Sequence, residues 1–316
     1  MQSLPRDMQS LRRKLCSLKC HTQTSRFKTQ SPPLKSLSSS FNTQTSTLPM
    51  DFSLARQRFL QETRRPDQQI DLEKAALYIA QEEYPELEVE AVVQRLDRMA
   101  DEARDYLPPE PYPLKVVQGI NRYLYEDLGF VGNAQDYYEP RNSFLNQVLE
   151  RRTGIPITLA LVYLAIARRL DFPMVGIGLP GHFLIRPAVV EMEIFVDAFH
   201  QGEILFMADC AERLQQVYGH PVPMEPQFLA AVTPRQFLAR MLTNLKVIYF
   251  NKGDIPKTLA AIERILLMFP DAPLELRDRG MLYFRTNRWV EARQDLEAYL
   301  ENRPQADDRQ VVQQLL

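Results

Sequence analysis

The stretch GLPGHFLIR (178–186) carries His182, one of only four histidines in the 316-residue chain, between a turn-forming Pro-Gly pair and an apolar run. A second apolar run, EIFVDAF (193–199), carries Asp197. A carboxylate beside an imidazole fixes its tautomer and supports the imidazolium, which is how a general base is oriented. Side chains alternate along a strand, so His182, Leu184 and Arg186 share one face of the first run and Phe195 and Asp197 share a face of the second. Antiparallel pairing about a midpoint near Val189–Val190 makes His182 and Asp197 direct cross-strand neighbours. A Val-Val centre is a poor tight turn, so a register displaced by two residues is the alternative. A histidine on an apolar strand is by default a hydrogen-bonded core residue. The aspartate at matching spacing tips the balance toward a site, because a buried carboxylate needs a partner.

The other chemical candidates are weaker. Cys16, Cys20 and His21 make a metal-like fragment, but a fourth ligand is lacking and the neighbouring residues are those of a tail. Cys210, in ADCAERL, reads as a buried thiol on a helix after the strands. His182, Asp197 and His200 could form a ligand trio only if the chain bends after Asp197, since positions 197 and 200 fall on opposite faces of a strand. No metal and no cofactor are therefore expected. Asp136, Tyr137, Tyr138 and Asn142 are candidates to line the mouth of a cleft, or simply to pack an irregular loop.

Charge divides the chain sharply. Residues 1–49 hold eight Lys/Arg against the single acid Asp7, a net of +7, which leaves −9 for residues 50–316. The first segment is rich in Ser, Thr and Gln and poor in apolar residues, so residues 1–49 are expected to be a disordered extension, a transit peptide or an artefact of the gene model. An acidic body is a poor grip for phosphate backbones, so nucleic acid is not expected as a partner. No apolar run is long enough to cross a membrane. Three cysteines, two of them in the extension, fit a reducing compartment; the expected location is cytoplasmic, or an organelle if the extension is a transit peptide.

Helical periodicity begins after Asp51 and is clear in Val89, Val92, Val93, Leu96, Met99, Ala103 and Leu107. PPEPYP (108–113) stops that helix. Further helices are predicted over 114–128, 143–152 and 156–170, the last with Pro156 in its first turn, where a missing N–H costs nothing. Arg151 and Arg152 end the helix before it, where cations complement the dipole. MVGIG, HFLIR and EIFVDAF then read as strands, and helices return from Met207. In the C-terminal part Pro270 and Pro304 lie 34 residues apart, with Ile255, Thr258, Ile262 and Leu266 in register with Trp289, Ala292, Leu296 and Leu300. That is the tetratricopeptide period. Gly280 and Ala292 fall where two helices cross closely, Lys246 replaces a small residue in the earlier unit, and Trp289 is expected to pack between repeat helices. The domains are thus 50–232 and 233–316.

LNQVLERRTGIPITLALVYLAIARRLDFPMVGIGLPGHFLIR, followed by FVDAF and preceded by DLGFVGNAQDYYEPRNSFL, resembles the SirB-type branch of the transglutaminase-like superfamily, closely over about residues 110–215. The resemblance implies an α+β, mostly helical fold: a papain-like core with a small antiparallel sheet, then helical repeats. In active relatives Gly-x-Cys opens a helix and supplies the thiol of a Cys–His–Asp triad. Here the corresponding stretch is Gly154-Ile155-Pro156. His182 and Asp197 match their counterparts, and Pro156 stands at the nucleophile position. Thr158 would point elsewhere around the helix, and Ser143 reads as a cap. The resemblance therefore implies a vestigial dyad in a non-catalytic protein that binds a protein or peptide through its cleft and repeats. The alternatives are a cysteine-type hydrolase or acyltransferase using Cys210, and a scaffold in which the pair only stabilises the sheet.

Overall fold

The computed structural model describes residues 53–109, 112–188 and 193–316. Cys16, Cys20, His21 and the whole 1–49 extension lie outside the described residues.

Twelve α-helices surround two small sheets among the described residues. Helices α1 (Leu54–Thr63), α2 (Leu72–Gln81), α3 (Val89–Arg104) and α4 (Pro113–Asn121) form the N-terminal layer. The helix expected to run to Leu128 changes character: α4 gives way to a π-helical turn over Arg122–Asp127, and Gly129 ends it with φ +71°. Strand β1 (Val131–Gly132) pairs in parallel with β2 (Thr153–Gly154), with α5 (Leu145–Arg151) between them. Helix α6 (Pro156–Arg169) follows at once. It is apolar nearly all round, with Leu159, Ala160, Leu161, Val162, Tyr163 and Ile166 buried, as a helix enclosed on every side must be.

The main sheet is an antiparallel meander of β3 (Met174–Ile177), β4 (Leu184–Pro187), β5 (Phe195–Asp197) and β6 (Glu203–Leu205), in that order. Its alternation splits the core. Ile185 and Val196 point into the large core with α6, whereas Leu184, Phe195 and Leu205 point the other way, against Cys210 and Leu214 of α7 (Met207–Tyr218). Ile185 pairs with Val196, so the register is the one displaced by two residues rather than centred on Val189–Val190. Leu184, not His182, is thereby the residue opposite Asp197. His182 sits just before β4 in a turn, its N–H donating to Leu179 O at 3.1 Å.

Helices α8 (Pro234–Lys252), α9 (Ile255–Met268), α10 (Pro273–Arg285), α11 (Trp289–Asn302) and the short α12 (Arg309–Gln313) complete the chain. They enclose a third cluster built on Ile262, Leu266, Leu276, Leu282, Leu296 and Tyr299. At Gly280 a Cβ would lie 2.8 Å from Leu296 Cγ and 3.2 Å from Ala292 O, so the close crossing does demand glycine. Lys246, in the matching place of the earlier unit, reaches across instead to Glu275 (2.8 Å) and Asp278 (3.0 Å) on α10. Trp289 departs from expectation: it is 55% exposed, its ring set edge-on to Phe284 at the start of α11. First-turn position, ahead of the helix crossing, leaves it little to pack against.

Helix α8 faces both ways. Phe237, Leu238 and Met241 join the large core, while Lys246 belongs to the repeat contacts. Ion pairs tie the far ends together: Arg56 to Glu82 and Glu263, Arg264 to Glu82, and Lys257 to Glu83.

Candidate functional site

Asp197 ends β5, fully buried, and the chain turns immediately into a 3-10 turn over Ala198–His200. Its Oδ1 caps that turn, accepting from the N–H groups of Phe199 (3.1 Å) and His200 (3.3 Å). Its Oδ2 accepts from His182 Nε2 and from His200 Nδ1, each at 2.8 Å. The bend after Asp197, which the alternation of an unbroken strand excludes, is what brings His200 to the carboxylate. Gln201 and Gly202 follow with positive φ of 55° and 73° and reverse the chain into β6.

Burial alone would push the Asp197 carboxyl up. The hydrogen bonds and charge of His182, then those of His200, more than offset it and hold it at about 2. Asp197 is thus an anion at neutral pH, and it receives a proton donor from each imidazole. With Nε2 of His182 set against Asp197, Nδ1 is the ring nitrogen turned away from the carboxylate. That nitrogen has no hydrogen-bond partner among the described residues. The imidazole is therefore oriented by the carboxylate, with one ring nitrogen unspent. Phe199 stands edge-on to His182 (6.3 Å between centroids) and to His200 (5.2 Å), and Tyr137 packs on Phe199 at 6.2 Å.

The loop that carries His182 is held from α8. Arg240 donates to His182 O at 2.6 Å and Leu179 O at 2.9 Å, and its guanidinium lies over the Phe183 ring at 5.4 Å. The sequence gives no hint of this residue, because its partners are main-chain carbonyls some sixty positions away.

His182, Asp197 and His200 offer ligand atoms within 4.8 Å of one another. Arg213 of α7 weighs against a metal there. Its guanidinium approaches His200 Nδ1 to 3.1 Å and Asp197 Oδ2 to 3.5 Å while pairing with Glu203. A divalent ion would have to share that space with a fixed positive charge.

The nucleophile candidates fall elsewhere. Pro156 occupies the first position of α6, with Ile155 extended before it. Thr158 is buried and fully spent: its Oγ1 donates to Asn142 O at 2.7 Å and accepts from the Ile155 N–H at 3.1 Å. Ser143 is buried, its hydroxyl without a partner among the described residues. Cys210 is buried on the far side of the sheet, and burial pushes its thiol up to about 11. Among the described residues no hydroxyl or thiol is hydrogen-bonded to the His182 ring.

Of the loop residues singled out in the sequence, Tyr137 reaches the dyad through Phe199. Tyr138 is exposed and meets Tyr137 edge-on, and Asp136 is exposed. Asn142 is fully buried and organises the loop, donating to Asp136 O at 2.8 Å and accepting from Arg151 at 3.2 Å.

A mostly helical chain with an apolar helix opening beside a small meander that carries His and Asp, followed by paired helices at a 34-residue period, defines a transglutaminase-like protein with tetratricopeptide repeats. Residues 90–243 match the transglutaminase-like superfamily, and residues 245–316 match a tetratricopeptide repeat. A UPF0162 protein of Xylella fastidiosa is 37% identical over 254 residues, 78% of this chain and 89% of that protein. A UPF0162 protein of Vibrio cholerae is 30% identical over 236 residues, 74% of this chain and 87% of its own. F-box only protein 21 of Homo sapiens is 34% identical over 188 residues, 56% of this chain and 29% of that longer protein. No solved structure gives a significant match. The chain belongs to the UPF0162, SirB-type, family. No helix among the described residues is long and apolar enough to cross a membrane.

Proposed function

We propose that this protein is a non-catalytic member of the transglutaminase-like superfamily, a binding or regulatory module whose cleft and repeat helices engage a protein or peptide. The observation that carries this reading is Pro156 at the first position of α6. A thiol at a helix N-terminus is activated by the dipole and the free N–H groups. Proline removes more than the sulfur: it also has no N–H, so this position can donate nothing to an oxyanion. Two of the functions that acyl transfer asks of one residue are missing together. His182 keeps an oriented imidazole with one unspent ring nitrogen, which in a binding site forms a hydrogen bond with a polar group of the ligand.

The second reading, a cysteine-type hydrolase or acyltransferase working through Cys210, is disfavoured by the same geometry. That thiol is buried on the far face of the sheet and pushed up to about 11, which is the environment of an inert cysteine.

The test installs what is absent. The wild-type protein should show no turnover of amide, ester or peptide substrates, while Pro156→Cys should gain a thiol that an alkylating reagent labels rapidly near neutral pH, faster in the presence of His182 than in the His182→Ala background. Wild-type turnover that disappears in His182→Ala would overturn the proposal.

A further inference from the structure

Three arginines line a hollow that shares no residue with the His182 and Asp197 site. A cavity of about 260 Å³ between α3 and the π-helical turn is lined by Arg95, Arg98 and Arg152, with Glu102 and Tyr123 beside them. Its remaining lining is apolar, from Met99, Leu128 and Phe130, of which Met99 and Phe130 are buried. Residues 50–316 carry a net charge of −9, so carboxylates are plentiful. Yet among the described residues none of the three guanidinia forms an ion pair.

Two of them are fixed in place. Arg95 spends one N–H on Leu149 O at 2.8 Å, and Arg152 spends one on Leu128 O at 2.8 Å. A guanidinium has five N–H donors, so most remain unspent on each. Arg98, one turn along α3 from Arg95, makes no hydrogen bond among the described residues. Arg152 closes α5 in the left-handed region, with φ +53° and ψ +31°, where glycine is the residue of least cost. The main chain thus holds an arginine side chain at the hollow in a conformation that strains any residue bearing a Cβ.

We propose that this hollow is a binding site for a phosphoryl dianion. The charge count fits: three guanidinia less the Glu102 carboxylate leave two positive charges, and a phosphate monoester carries close to two negative charges at pH 7. Guanidinium forks match phosphate oxygens two at a time. Met99, Leu128 and Phe130 supply an apolar wall for the group that carries the phosphate. The site is independent of the reading of His182 and Asp197, and neither contributes an atom to it.

The test is a titration of the full chain at pH 7.5 with inorganic phosphate and with phenyl phosphate, followed by calorimetry or by amide shifts around Arg98 and Arg152. Saturable 1:1 binding that weakens with added salt is expected. Tighter binding of the aryl ester identifies an ester as the natural source, and tighter binding of the inorganic ion identifies free phosphate. Arg98→Gln removes a guanidinium that the fold does not use, and should weaken binding roughly tenfold or more, since each charge-assisted contact is worth about that factor. Arg152→Gly should do the same while relieving the backbone, so that unfolding stability holds or rises. Arg285→Gln, a charge change on α10, should leave affinity unaltered. Absence of saturable binding, or an affinity that Arg98→Gln and Arg152→Gly leave unchanged, would overturn the proposal.

Discussion

Asp197→Asn is the perturbation on which the site geometry makes its sharpest claim. Asparagine preserves the shape, and its carbonyl oxygen can still cap the turn at Phe199 and His200. Its NH2 group cannot accept from His182 Nε2 or His200 Nδ1, which now meet donors at the distance of a hydrogen bond. The carboxyl is held at about 2 against an ordinary value of 3.8, which at neutral pH corresponds to about 2.5 kcal/mol of folding stability for a side chain this buried. A folded-state value below the unfolded one contributes stability in full above about pH 4, and loses it as the pH falls toward 2. Urea unfolding of wild type and Asp197→Asn should therefore differ by about 2–3 kcal/mol at pH 7 and pH 5. The gap should narrow below pH 4, as the wild-type carboxyl takes up its proton. A difference under about 0.5 kcal/mol at pH 7, or one that stays constant down to pH 3, would refute the reasoning, because the two imidazoles would then contribute nothing to the charge they surround.

Three further outcomes are expected. Cys210, with its thiol pushed up to about 11, should be only about one part in several thousand thiolate at pH 7.5, so electrophile labelling should be slow in the folded protein and fast in urea. Gly280→Val should lower the melting temperature through a clash with Leu296 and the Ala292 carbonyl, at a cost of about 1–3 kcal/mol. Arg240→Met should cost about 1.5–3 kcal/mol by stranding the Leu179 and His182 carbonyls, and should shift the His182 ring proton resonances, which replacement of an exposed α8 residue such as Asn251 would not.

Local pattern carried much of the fold. Helix α6 follows from an apolar run with proline at its head, the three strands at 174–177, 184–187 and 195–197 follow from short apolar segments with glycine or proline between them, and the repeat follows from spacing. Strand β6 did not stand out, because its three residues run straight into the apolar start of α7. The parallel β1–β2 pair, two residues on each side, is too short for any periodicity. Within the site, His182 and Asp197 were legible because pairing of adjacent strands limits their separation. His200 was harder: it depends on a single turn, which the side chain of Asp197 itself stabilises, and the positive-φ Gln201-Gly202 that follows was the available signal. Arg213 and Arg240 approach from helices that no short-range pattern connects to the strands. Asn142 looked like a cleft residue because polar side chains in irregular loops usually face water; here it replaces water for the loop's own carbonyls.

Helix α8 has a bearing on how the chain can be handled. The transglutaminase-like match ends at residue 243 and the repeat match begins at 245, so the border falls in mid-helix rather than in a linker. Cutting before Pro234 would strip Phe237, Leu238 and Met241 from the large core and leave an apolar trough open to solvent, and cutting after Lys252 would expose the surfaces of α8 that α9 covers. Neither half should therefore fold by itself. The two should melt in one transition, and fragments expressed alone should be insoluble or seek each other out.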